Sequence, residues 1–129
     1  MSDEIPADLR YTNEHEWARL DGELVVVGIT AHAVEQLGDI TLVSVAEVGR
    51  AVTQGESFGD IDSVKAVSEL YAPIDGTIAE VNGALEDAPE TVNESPYDRG
   101  WLVKIKPRDA AQLQALLDAD AYRKLIADA

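Results

Sequence analysis

Gly59-Asp60-Ile61-Asp62-Ser63-Val64-Lys65-Ala66-Val67-Ser68-Glu69-Leu70-Tyr71-Ala72-Pro73-Ile74-Asp75-Gly76 is the stretch that decides the fold. Ser57 to Asp62 reads as a strand rising to Lys65, and Val67 to Ala72 as a strand leading away. Pro73-Ile74-Asp75-Gly76 then breaks the chain. The pattern is a β-hairpin with a lysine at its tip. The chain has four lysines (Lys65, Lys104, Lys106, Lys124) and no cysteine.

Outward from the hairpin, the pattern stays mostly β. Trp17 to Leu20 and Glu23 to Ile29 flank Asp21-Gly22, which predicts a hairpin closed by a type I′ turn over that Asp-Gly pair. Thr30 caps a short helix over Ala31 to Leu37, with Val34 and Leu37 inward and Gly38 as its stop. Asp39 to Ala46 alternates, with Ile40, Leu42 and Ser44 on one face and Thr41, Val43 and Val45 on the other. Glu47-Val48-Gly49 and Gln54-Gly55 are turns, and Thr77 to Asn82 is a strand. Residues 83 to 100 form a long loop with one helical turn, and Trp101 to Ile105 is the last strand, ended by Pro107. The tail is helical: Asp109 with Gln112 makes a capping-box start, Leu113, Leu116 and Leu117 make an apolar stripe, and Tyr122, Leu125 and Ile126 face inward. Short strands with helices at the periphery predict a β-sandwich or barrel. Leu37-Gly38-Asp39-Ile40 resembles Phe58-Gly59-Asp60-Ile61, which hints at an internal duplication.

The 129 residues suit one domain, 1–129, able to bury about two-thirds of its unfolded surface. Residues 1–8 read as a flexible N-terminus and 109–127 as a helical extension packed on the barrel. No apolar run approaches the roughly 20 residues of a membrane-spanning helix. The acidic N-terminus has no apolar core of a signal peptide, so a cytoplasmic protein is expected. Without cysteine there is no disulfide, thiolate metal site or thiol nucleophile. His15 and His32 are too few and wrongly spaced for a metal motif, so no metal is expected. The formal charge of −15 argues against nucleic acid, which needs cations to displace counterions, and against anionic membranes. It suits solubility, docking onto basic patches of partner proteins, and adaptation to high salt. Trp17 and Trp101 read as core or rim aromatics.

An amine on a rigid, exposed turn suits covalent modification. Acylation removes its charge and extends its reach, and the turn lets a modifying enzyme select one lysine. Val64 and Ala66 beside it offer no competing nucleophile, while Gly59 and Gly76 permit close packing at the strand bases. Turn lysines are common, so the spacing alone does not single out Lys65.

The Gly59–Gly76 segment resembles the lipoylation motif of the glycine cleavage system H proteins. The resemblance extends through Tyr11-Thr-Asn-Glu-His-Glu-Trp17, Val27-Gly-Ile-Thr30, Glu35-Gln-Leu-Gly-Asp-Ile40, Glu47-Val-Gly49, Glu80-Val-Asn82, Leu85-Glu-Asp-Ala-Pro-Glu90, Val92-Asn93, Ser95-Pro-Tyr97 and Gly100-Trp-Leu-Val-Lys-Ile-Lys106. It covers residues 9 to 126 in order. That family implies a mainly β barrel-sandwich hybrid, two small antiparallel sheets related by a pseudo-two-fold, with the lipoyl-lysine on a hairpin turn.

The resemblance also implies a task. Lys65 would carry lipoate as an amide, with Asp62, Val64, Ala66, Gly59 and Gly76 as its motif. The partners implied are the pyridoxal-phosphate-dependent glycine decarboxylase (P protein), the tetrahydrofolate-dependent aminomethyltransferase (T protein), the dihydrolipoyl dehydrogenase (L protein) and the lipoyl-attaching enzymes. The chain would be a monomeric, non-catalytic carrier of an aminomethyl group. Family members carry Glu where this chain has Asp62, one methylene shorter. Glu16 and Glu69 match positions near the cleft in which the loaded arm docks, where carboxylates would hold a cationic aminomethyl group away from water. A lipoyl carrier or donor for another pathway shares all these features. A biotin carrier fits less well, because Met flanks its lysine; so does a 2-oxoacid dehydrogenase domain, with Asp before it. An interaction protein whose lysine is never modified is the remaining class.

Overall fold

The computed structural model describes residues 5–127. Nine strands, all paired antiparallel, form two sheets. They are β1 (Arg10–Tyr11), β2 (Glu16–Asp21), β3 (Leu24–Ile29), β4 (Ile40–Val45), β5 (Ala51–Val52), β6 (Ser57–Ser63), β7 (Val67–Tyr71), β8 (Gly76–Val81) and β9 (Val103–Pro107). The larger sheet has the order β1-β2-β3-β9-β8-β5, and the smaller β4-β6-β7. The helices are α1 (Ala31–Leu37), α2 (Ala84–Asp87), α3 (Thr91–Glu94) and α4 (Ala119–Ala127), with a 3-10 segment at Ala110–Ala115. The fold is mainly β, as expected, with six strands in one sheet and three in the other.

Val25, Val26 and Val27 are all fully buried because β3 is covered on both faces. Val25, Val27 and Ile29 join the main core with Phe58, Ile61, Leu70, Ile78 and Ile105. Val26 faces the other way, into a second cluster with Leu9, Tyr11, Trp17, Ala119 and Tyr122. Helix α4 therefore closes the back of the large sheet. Leu125 and Ile126 pack there too, as their spacing predicts. Trp17 lies across Gly28, its register partner, so closely that a Cβ at 28 would stand 2.6 Å from the indole. Residues 1–4 of the stretch read as a flexible N-terminus lie outside the described residues; Ile5 packs against this second cluster.

Several local expectations need correction. The β2–β3 link is Gly22-Glu23 rather than Asp21-Gly22, since Asp21 pairs with Leu24. Only Gly22 has positive φ there (64°), which fits a type II′ turn with glycine first. A bulge between Ile40 and Leu42 shifts the alternation of β4, leaving Leu42 49% exposed while Val43 and Val45 pack on the core. The 83–100 stretch holds two helical turns, α2 and α3, anchored by the buried Leu85 and Val92. The last strand starts at Val103 rather than Trp101 and ends at Pro107, as expected, beyond the reach of β3, whose pairing stops at Ile105. Asp109 does cap the tail segment, by accepting from the Ala111 N–H, but Gln112 accepts from the Asp75 N–H instead of closing a capping box. The two similar tetrapeptides are not equivalent: Gly38 ends a helix with φ 77°, whereas Gly59 lies within β6.

The expected N-cap is present. Thr30 accepts from the Ala33 N–H, and the Gly38 N–H closes α1 on the Val34 carbonyl.

Candidate functional site: the Lys65 turn and the Glu16 cleft

Strands β6 and β7 form a tight hairpin. The Ser63 N–H donates to the Ala66 carbonyl at 2.8 Å, leaving Val64 and Lys65 as the two linking residues, neither with positive φ. The Ser63 hydroxyl accepts from the Lys65 and Ala66 N–H groups at 3.2 and 3.1 Å, and so occupies donors that the tip would otherwise expose. Val64, Lys65 and Ala66 are exposed. Lys65 makes none of the ion pairs among the described residues. Asp62 faces Val67 on one side and Leu42 on the other. Leu42, Val64 and Val67 are three of the five large apolar side chains left exposed among the described residues.

Gly59 and Gly76 stand at close backbone approaches. A Cβ at Gly59 would lie 2.2 Å from the Ser44 carbonyl oxygen, and one at Gly76 would lie 2.3 Å from that of Lys106. Both therefore set how closely neighbouring strands pack, one in each sheet.

Along β7, Val67, Glu69 and Tyr71 share a face, and the strand climbs about 13 Å between Val67 and Tyr71. At its far end lies a cleft of ≈ 330 Å³. Tyr11, Pro73, Leu116 and Leu117 give it apolar walls, and Glu16 and Tyr71 reach into its lining. Glu16 is 1% exposed. Its Oε1 accepts from the Thr12 hydroxyl and its Oε2 from the Tyr71 N–H at 3.1 Å. Burial pushes its carboxyl up to about 7, against the opposing pull of those two hydrogen bonds.

The Thr12–Glu16 turn that delivers this carboxylate is held from behind. His15 takes φ 72°, the one described non-glycine residue with positive φ. Its Nδ1 lies 2.8 Å from the Tyr122 hydroxyl, which also bonds Thr30 at 2.8 Å. Burial, and then the neighbouring His32 ring, lower the His15 pKa.

The family model for the glycine cleavage H-protein matches residues 9–129. The chain belongs to that family. It is 57% identical to the glycine cleavage system H protein of Anaeromyxobacter sp. (strain K) over 123 residues, covering 95% of this chain and 96% of that one. It is 55% identical to the Geobacillus kaustophilus H protein over 121 residues, covering 94% and 95%. The crystal structure of an H protein from Mycobacterium marinum superposes with TM-score 0.88 at 43% identity, covering 95% of this chain and 99% of that one.

Within this H-protein fold, the sequence candidates separate into two places. Lys65, Asp62, Val64 and Ala66 gather at the hairpin tip, and Glu16 sits in the cleft. Glu69 is exposed between them, on the same face of β7 as Tyr71, and is not part of the cleft lining. Thr12, Tyr71 and the Ala115–Leu117 wall escaped sequence reading. Thr12 and Glu16 stand four apart, but outside any helix that spacing carries no signal.

Proposed function

We propose that the chain carries lipoate as an amide on Lys65 and serves the glycine cleavage system. It would take an aminomethyl group from the P protein, yield it to the T protein and be reoxidised by the L protein. Family membership supports the system, and the exposed Lys65 at a fixed two-residue turn is the observation that carries the attachment. In attachment, the neutral Lys65 Nζ attacks the carbonyl carbon of an activated lipoyl carboxyl. A C–N bond forms, the activating adenylate leaves with the electrons of its C–O bond, and the amine proton goes to solvent.

The residues present fit such a group: an unpaired lysine, a strand face leading from it, and a cleft of apolar walls with one buried carboxyl. When bound, the dithiolane supplies the sulfur chemistry of aminomethyl uptake and release. Glu16 supplies charge. Ionised, it accepts a charge-assisted hydrogen bond from a cationic group in the cleft, while the apolar walls keep water away. Glu69 serves as an acid on the approach, beside Tyr71. Asp62 presents a carboxylate next to the tip for the attaching enzyme to read. The chain itself makes and breaks no substrate bond, so it is a carrier rather than an enzyme, working as a cytoplasmic monomer.

Carbon exchange between glycine and bicarbonate separates this task from other lipoyl pathways. The lipoylated chain with a glycine decarboxylase should support that exchange, and Lys65→Arg should not. Exchange no faster than with Lys65→Arg would remove the glycine-cleavage assignment.

A further inference from the structure

The lysine turn is fastened at a point remote from its own strands. The Val64 N–H donates to the Asp39 carbonyl at 3.0 Å. Asp39 is the corner between α1 and β4, and Asn93 brackets that corner from both sides. Its Nδ2 donates to the Gly38 carbonyl at 2.8 Å, and its Oδ1 accepts from the Ile40 N–H at 2.9 Å. The Lys65 stem also lies over this corner, with its Cε 3.3 Å from where a Cβ on Gly38 would stand. Asn93 thus reaches the lysine turn only through Gly38-Asp39-Ile40.

The β4 bulge follows this corner, between Ile40 and Leu42, so on this stretch strand pairing holds Ile40, opposite Ser63, but not Asp39. Beside the Gly38 N–H bond to Val34, a single planar amide adds one bond on each side of Asp39. A short helix in the 83–100 stretch, α3, thereby sets the posture of a turn nearly thirty residues earlier in sequence.

We propose that Asn93 is a positioning residue for the modification of Lys65. It holds the Gly38–Ile40 corner, the corner holds the Val64 N–H, and the modifying enzyme reads the turn in that one posture. This rests on the reading that Lys65 is the lipoyl site. A loosened tip samples several postures, and each encounter is productive only for the fraction that matches, so the loss appears in recognition. Chemistry at Nζ is unaffected.

The test is attachment kinetics on the full chain with a lipoyl-protein ligase, lipoate and ATP, with the apo-chain varied, beside amide hydrogen exchange. For Asn93→Ala, the KM for the apo-chain should rise about tenfold, the size expected from losing a net hydrogen bond or so, while kcat stays near wild type. Val64 amide exchange should quicken, and that of Ile61 should not. Asn93→Asp keeps the acceptor for Ile40 and loses only the Gly38 bond, so it should shift KM the same way by less; it decides the matter if Asn93→Ala does not fold. Leu125→Ala, destabilising but remote, should leave both constants unchanged. A wild-type KM in the Asn93 variants, with or without faster Val64 exchange, overturns the proposal. So does an equal rise in KM for Leu125→Ala. A wild-type chain that gains no lipoyl mass removes the underlying reading instead.

Discussion

Glu16 and Tyr71 join the two sheets: the backbone N–H of Tyr71, at the end of β7, donates to the Glu16 Oε2, at the start of β2, at 3.1 Å. A carboxylate is thereby buried at the base of the lysine hairpin. Deep burial is unfavourable for its charged form, and two hydrogen bonds offset only part of that cost. The fold keeps an ionisable group where burial disfavours its charge, and strongly shifted groups in clefts gather at functional sites.

Stability should therefore depend on pH through Glu16. The folded-state pKa, about 7, lies above the ordinary 4.5, so between those values the folded chain binds more protons than the unfolded one. Stability from this group is complete below about 4.5 and falls as pH rises through 7. Glu16→Gln should be more stable than wild type at pH 8, by up to roughly 3 kcal/mol, with the advantage vanishing near pH 4.5. Urea unfolding of both chains at several pH values measures this. A difference independent of pH would contradict it.

The same substitution tests the cleft. In the lipoylated, aminomethyl-loaded chain, Glu16→Gln should release ammonia several-fold faster than wild type, because the neutral amide no longer attracts a cation. Glu69→Gln should have a smaller effect, since Glu69 is exposed and screened. The time course of free ammonia measures both. An unchanged rate for Glu16→Gln would leave Glu16 as a structural link only.

Gly28→Ala should destabilise the chain by about 1–3 kcal/mol, because the new methyl meets the Trp17 indole and neither β2 nor β3 can recede. Trp17→Leu in the same chain should recover part of the loss. Thermal unfolding of the single and double variants checks the coupling, and additive losses would contradict it.

The hairpin, the early helix with its Thr30 cap and the placement of Lys65 were legible because each rests on local chemistry. Apolar alternation, a capping hydroxyl and a stopping glycine act within a few residues. What escaped rests on partners far apart in the chain. The β4 alternation placed Leu42 on one face with Ile40, but the bulge, which only pairing with β6 reveals, separates them: Ile40 is buried and Leu42 exposed. The hairpin at Asp21 was legible, yet its register was not. Strand pairing moved the turn by one residue, to the position where Gly22 alone bears positive φ. At the site, Glu16 was visible through the His15-Glu16-Trp17 resemblance. Its hydrogen bond to Tyr71, 55 residues away, was not, and no residue type predicts a backbone donor. Asn93 stayed hidden for the same reason: both its bonds go to main-chain groups at Gly38 and Ile40.

The central claim is that one lysine of four is the attachment point. The most direct measurement is the intact mass of the chain before and after reaction with lipoate, ATP and a lipoyl-protein ligase, with Lys65→Arg alongside. Wild type should gain the mass of one lipoyl group and Lys65→Arg should gain none. No gain on wild type, or an equal gain on Lys65→Arg, would contradict the account.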